Sequence, residues 1–182
     1  MTLLIAGLVL WTAAHYFKRV TPGVRASMGN AGKGVVAVLI LASVVMMVIG
    51  YRAAPVDIVF DAPSWGKPVN NILMLVAVAM MGMGSSKGRA RSWLRHPMLI
   101  GVLVWAGAHI LVNGDVASLV LFGGIAAWAL FSIPLINFRE GPWQRPEPGP
   151  ASGDVRWILI HLVVFAVFAG IHIWIGPSPF GA

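Results

Sequence analysis

Five histidines hold most of the chemistry this chain can do: His15, His96, His109, His161 and His172. Four lie inside apolar runs, and His96 directly precedes Pro97. Ionisable groups at membrane depth are costly and tend to be functional. A neutral imidazole is the usual side-chain ligand for haem iron or a transition metal. The chain has no cysteine, which removes disulfides and thiolate ligands. No Asp or Glu lies inside an apolar run, which argues against a carboxylate proton relay or a hard-cation site. Histidine-ligated haem, a transition metal, or a polar network of histidines packed between helices remain.

His109 has the most suggestive surroundings. Trp105 lies one helical turn before it and Asn113 one turn after, on the same face. Gly107 and Ala108 are small enough to let a neighbouring helix approach. Asn113 either fixes the imidazole tautomer or caps the helix end. His96, after Arg95, sits at the start of the same segment. The nine methionines read as packing residues, because Met74, Met80, Met81 and Met83 share no clean helical spacing. No Ser–His–Asp set, HExxH, P-loop or dinucleotide fingerprint occurs. Of the eight tryptophans, Trp11, Trp65, Trp93, Trp143, Trp157 and Trp174 fall near the ends of apolar runs, as in an aromatic belt. Trp105 and Trp128 fall deeper.

The elements that must hold these side chains are apolar helices. The 182 residues are 58% hydrophobic and 10% charged, against about 25% charged in a soluble domain. Six apolar runs stand out: Leu3–Phe17, Val35–Gly50, Ile72–Gly84, Met98–Val112, Val116–Ile136 and Trp157–Ile175. Pro22-Gly23, Pro63, Pro68, Pro97, Asn113-Gly114-Asp115 and the stretch from Pro142 to Gly153 punctuate them. The runs lack the polar alternation of barrel strands, and an unbroken apolar run in lipid must satisfy its own backbone. The expected fold is all-α, a polytopic bundle of six transmembrane helices. Several runs are shorter than the roughly 17–25 residues of a full span, so the third is expected to begin near Lys67 or Val69 and the fourth to reach back toward Trp93. No internal repeat is evident, which weakens a two-fold transporter reading.

Charge orients the bundle. Lys18, Arg19, Arg25 and Lys33, then Lys87, Arg89, Arg91 and Arg95, then Arg139, Arg145 and Arg156 fall in alternate loops, leaving Arg52 and Lys67 on the other side. The basic side is expected to be cytoplasmic and both termini periplasmic. The net charge of +7 arises from these clusters and is not a nucleic-acid signal. The N-terminus has no basic residue before its apolar run, so it reads as a retained span rather than a cleaved signal. The outer segment from Arg52 to Asn71 reads as an interfacial loop.

The stretch His96-Pro97-Met98-Leu99-Ile100-Gly101, followed by Val104-Trp105-Ala106-Gly107-Ala108-His109-Ile110-Leu111-Val112-Asn113-Gly114-Asp115, resembles the signature of the NnrU family. Leu121-Phe122-Gly123-Gly124 and Gly50-Tyr51-Arg52 also fit. The resemblance implies a single domain over residues 1–182 and a bacterial inner-membrane protein associated with denitrification and nitric oxide metabolism. The family is similar to the 15-cis-zeta-carotene isomerase, a haem b membrane enzyme with histidine axial ligands. Carried over, the resemblance implies haem b, with His15 and His109 as iron ligands; Trp105 and Asn113, one turn either side of His109, are then the residues expected beside the cofactor. It also implies redox or isomerase-like chemistry on a small apolar or nitrogen-oxide substrate. Ala106 stands where the isomerase has a cysteine, so ligand exchange by that cysteine is unavailable here.

His15 and His109 lie 6 and 12 residues from the inner boundary, counted from Thr21 and Pro97. That is a depth difference of about 9 Å at 1.5 Å per residue. By depth, His15 pairs more naturally with His161 and His109 with His172. Alternatives to a haem protein are a non-enzymatic accessory protein or small-molecule transporter, and a purely structural or assembly protein. Membrane lipids are partners in every reading.

Overall fold

A computed structural model describes residues 1–176 and 178–180. All six apolar runs fold as helices, with only Gly84 left outside, and each helix extends beyond its run at one end or both because backbone hydrogen bonding continues into the flanking polar turns. In chain order these are α1 (Thr2–Val20), the short α2 (Pro22–Ser27), α3 (Ala31–Arg52), α4 (Gly66–Met83), α5 (Pro97–Val112), α6 (Val116–Glu140) and α7 (Ala151–Ile175). A single 3₁₀ turn, Ala90–Ser92, lies between α4 and α5. Pro22 and Pro97 occupy first-turn positions, where the missing N–H has no helical partner to lose.

The expectation of six full spans is narrowed. Among the described residues, α3, α4, α6 and α7 are long and apolar enough to cross a membrane. α5 is apolar but has 16 residues, about 24 Å of helix against a hydrocarbon core of about 30 Å. It begins at Pro97 and does not reach back to Trp93. α1 has 19 residues, but its last turn carries Lys18 and Arg19. The four long helices expose wide apolar surfaces. Val38, Leu41, Phe131, Val163 and Phe168 are all exposed, and none of the most apolar stretch of α7 is buried. Such surfaces are suited to lipid and unsuited to water.

The helices fall into two compact units. The first comprises Met1–Phe60 and Gly114–Gly141. In it α1 packs along α3 and touches α6. Leu4, fully buried, sits against Gly50 of α3, where a Cβ would meet the backbone of Leu4. Tyr16 donates its hydroxyl proton to the Trp128 carbonyl at 3.0 Å, and Arg19 pairs with Glu140 at 3.2 Å. The segment after α3 does not lie free as an interfacial loop along its whole length. Its end pairs with the turn before α6: the Val59 N–H donates to the Gly114 carbonyl at 2.8 Å and the Val116 N–H to the Asp57 carbonyl at 2.9 Å. α6 ends at Gly141, whose φ of +69° favours glycine.

The second unit comprises Asp61–Asn113 and Pro142–Ala182. α4 and α5 form its closest pair, and α7 packs on α4. A clasp of small residues seats the start of α7. Gly149 donates to the Gly88 carbonyl at 3.0 Å, the Asp154 carboxylate accepts the Ala90 N–H at 3.0 Å, and Gly153 lies against the Lys87–Gly88 backbone. The Trp157 indole donates to the Ala79 carbonyl of α4 at 3.0 Å.

Candidate functional site

His15 lies in the first unit, on α1. Its Nδ1 is 2.8 Å from the Trp11 carbonyl, one turn back. A carbonyl can only accept, so Nδ1 carries the proton, and in the neutral ring the lone pair is on Nε2. The Trp11 ring lies 4.1 Å from the imidazole, centroid to centroid, and Trp128 of α6 stands edge-on to it at 4.7 Å. Trp11, read from sequence as a belt residue, is turned inward instead.

His109 lies in the second unit, on α5, in a matching arrangement. Its Nδ1 is 2.9 Å from the Trp105 carbonyl, and the Trp105 ring centroid is 4.9 Å away. Asn113 does not set the tautomer. Its amide donates to the backbone carbonyl of His109 at 2.8 Å, which makes it the cap of α5. The carbonyl of Trp105 performs the orienting role that sequence reasoning offered to Asn113. Ala106 is fully buried. His172 lies in the last turn of α7. His96 is the N-cap residue of α5.

His161 repeats the pattern a third time. Its Nδ1 is 2.6 Å from the Trp157 carbonyl, with the rings 5.9 Å apart. Its imidazole, Nε2 foremost, fills the space that a side chain on Gly82 would occupy. Its outer nitrogen is therefore turned onto the backbone of α4.

These three sites share a short sequence signature. Gly7-x-x-x-Trp11-x-x-x-His15, Gly101-x-x-x-Trp105-x-x-x-His109 and Gly153-x-x-x-Trp157-x-x-x-His161 place Gly, Trp and His one turn apart along one face. The spacing is visible in the sequence, but its meaning comes from what each glycine touches. A Cβ on Gly7 would stand 2.9 Å from the Ser43 carbonyl oxygen, 2.9 Å from Met47 N and 2.8 Å from Met47 Cγ. A Cβ on Gly101 would stand 2.9 Å from the Ala77 carbonyl oxygen, 3.0 Å from Met81 N and 3.0 Å from Met81 Cγ. The same atom types meet the same position in both units. Each unit thus contains a hairpin in which a histidine helix is seated by its glycine on a methionine-bearing helix. The histidine helix comes first in one hairpin and second in the other.

Asp115 supports the first unit from outside the apolar region. It caps α6, accepting the Ser118 N–H at 2.9 Å and the Ser118 hydroxyl at 2.5 Å, and that hydroxyl also meets Tyr51 at 2.8 Å. Burial raises the Asp115 pKa, but hydrogen bonds from Ser118 and from the amides at the start of α6 outweigh it and hold the carboxyl below its ordinary value. Among the described residues, no three His, Asp or Glu side chains gather into a metal-holding group. A haem iron takes only its axial ligands from the protein, so this bears on other metal centres and not on haem.

Residues 3–179 match the family model described as NnrU protein. No curated protein and no solved structure matches the chain.

Proposed function

The chain belongs to the NnrU protein family, and from that premise we propose that it is a haem b-binding, multi-pass protein of the bacterial inner membrane. Membership links it in general terms to denitrification and nitric oxide-related membrane function. In this reading α1 and α5 complete a six-span bundle with both termini periplasmic. The segregation of basic residues into alternate loops favours that topology. His15 and His109 are the imidazole donors, with Trp105 beside the cofactor and Asn113 holding the end of α5.

One observation carries the proposal: the same Trp-carbonyl-to-Nδ1 hydrogen bond orients both histidines. It selects the tautomer in which Nε2 would bind iron, and a hydrogen bond to the far ring nitrogen would raise the basicity of the ligand. The donor set therefore suits a haem. His161 shares the bond, but its Nε2 is closed against Gly82, which favours the other two. When bound, the haem supplies the redox or isomerase-like chemistry that these side chains lack on their own. The protein orients each imidazole, fixes its proton on Nδ1, and carries it on an apolar helix.

A reduced-minus-oxidised absorbance spectrum of the purified full chain, expressed with ample haem, tests the reading. A b-type Soret and α band is expected, and it is expected to be lost in both His15→Ala and His109→Ala. Absence of the bands from well-folded wild-type protein would refute haem binding and leave the accessory or transport role. Loss in His109→Ala but retention in His15→Ala would move the second ligand elsewhere, with His172 the first residue to test.

A further inference from the structure

The segment that joins α4 to α5, residues 84–96, holds Lys87, Arg89, Arg91 and Arg95 and no acidic residue. Hydrogen bonds fix its backbone. In the 3₁₀ turn the Ser92 N–H and hydroxyl both donate to the Arg89 carbonyl, at 3.0 and 2.8 Å. The Gly88 N–H donates to the Ser86 hydroxyl at 2.9 Å, and the Gly88 carbonyl accepts from Gly149 at 3.0 Å. The carboxylate of this clasp, Asp154, accepts the Ala90 N–H and forms no ion pair among the described residues. Lys87 and Arg89 are exposed and Arg91 is half-buried. Among the described residues these three side chains have neither a hydrogen bond nor an ion pair. Cations elsewhere are engaged: Arg19 by Glu140, Arg25 by the Gly29 carbonyl, and Arg139 and Arg145 over aromatic rings.

Position limits what can meet these charges. α4 is long and apolar enough to cross a membrane and ends at Met83, so Lys87 is the fourth residue beyond the span. The bonds to Gly149 and Asp154 keep the segment from extending into water. The cations are therefore held close to where α4 leaves the hydrocarbon, which is the level of the lipid phosphates. Trp93, 57% exposed, follows them in the same segment and suits the headgroup boundary. We propose that Lys87, Arg89 and Arg91 form a docking surface for the headgroup of an anionic phospholipid, with Trp93 at the level of its glycerol. Guanidinium groups form charge-assisted, two-pronged hydrogen bonds to phosphate oxygens, and the lysine adds a point charge. A zwitterionic lipid fits less well, because its own ammonium offsets its phosphate and repels the same cations. The surface goes beyond the haem reading and is independent of it, since none of its residues touches a histidine ligand of that reading.

Native mass spectrometry of the full chain in a neutral detergent, titrated with phosphatidylglycerol or phosphatidylcholine, tests this proposal. Tighter retention of phosphatidylglycerol is expected. Lys87→Gln, Arg89→Gln and Arg91→Gln are each expected to weaken it about fivefold, the equivalent of about 1 kcal/mol per basic residue near a membrane surface. The double variant Lys87→Gln/Arg89→Gln is compared with Lys18→Gln/Lys33→Gln, which removes the same charge from the first unit. Only the former is expected to lose the preference. Equal loss in both would show that net charge and not this surface selects the lipid, and would overturn the proposal. Equal retention of the two lipids by the wild-type chain would overturn it as well, and that comparison needs no variant to fold. Displacement of phosphatidylglycerol by free glycerol phosphate at the same concentration would reassign the surface to a soluble phosphate and overturn the lipid assignment. Because nothing is read at iron, these results stand apart from the haem spectrum.

Discussion

Gly101→Ala tests whether close backbone approach seats the histidine helix. The added Cβ would lie 2.9 Å from the Ala77 carbonyl oxygen and 3.0 Å from Met81 N, against 3.4 Å where ordinary contact begins. Two of its three nearest neighbours are backbone atoms, which cannot swing away as a side-chain tip does. α5 would have to withdraw from α4 by about 0.5 Å, the difference between those two distances. Overpacking of this kind costs about 1–3 kcal/mol. Alanine also favours helix over glycine by about 1 kcal/mol, which would mask part of the effect. Gly107 supplies the control on the same helix, because nothing lies within 4 Å of a Cβ there. Gly107→Ala carries the propensity gain alone, so the difference in stability between the two variants isolates the overpacking. That difference is expected to be about 1–3 kcal/mol, with Gly101→Ala the less stable. Equilibrium unfolding in mixed detergent micelles, followed by tryptophan fluorescence, measures it. If Gly101→Ala proves as stable as Gly107→Ala, the close-packed seat is refuted. Gly7→Ala is expected to destabilise in the same direction, since it meets Ser43 and Met47 in the same way.

Asp115→Ala is expected to destabilise the chain by about 0.5–2 kcal/mol through loss of the α6 cap, read from the same unfolding assay. Because the folded state depresses the Asp115 pKa, its contribution is fully present above the unfolded carboxyl value of about 3.9 and is lost as pH falls through the lower folded value. An acid limb steeper in wild type than in Asp115→Ala is the expected signature, and parallel limbs would count against it. Gly82→Ala is expected to be strongly destabilising alone and markedly milder in a His161→Ala background, because the imidazole that it displaces is then absent. Strict additivity of the two changes would show that His161 is not seated on Gly82. A haem spectrum that survives His161→Ala in the folded protein is expected if that histidine is a packing residue, and its loss would return His161 to the ligand set.

Much of this was legible locally. Each apolar run became a helix, since a helix satisfies its backbone within itself and needs no distant partner. Asn113-Gly114-Asp115 was readable as a turn from residue type alone, whereas the capping of α6 by Asp115 came from the structure. Span length was less legible, because α1 ends in Lys18 and Arg19 and α5 starts abruptly at Pro97. Which way Trp11 and Trp157 face was not legible, for a plain reason. Position near the end of a run is a property of the sequence, but the direction an indole faces depends on which helix lies beside it. Asn113 lies one turn from His109 on the same face, yet its amide found the helix-end carbonyl first.

The histidine sites divide along the same line. Sequence alone determined that imidazoles would sit one turn after tryptophans in apolar helices, and the i to i−4 geometry of a helix then places each Nδ1 beside the tryptophan carbonyl. Tertiary structure decided what lies across from each ring. His161 meets Gly82 of α4, whereas His15 lies roughly T-shaped to Trp128 on α6, beside two indole nitrogens that have no hydrogen-bond partner among the described residues. The five histidines have one chemistry and three of them one local geometry. They differ because the facing surface belongs to another helix, and helix pairing is set by where small residues such as Gly7 and Gly101 allow two backbones to meet.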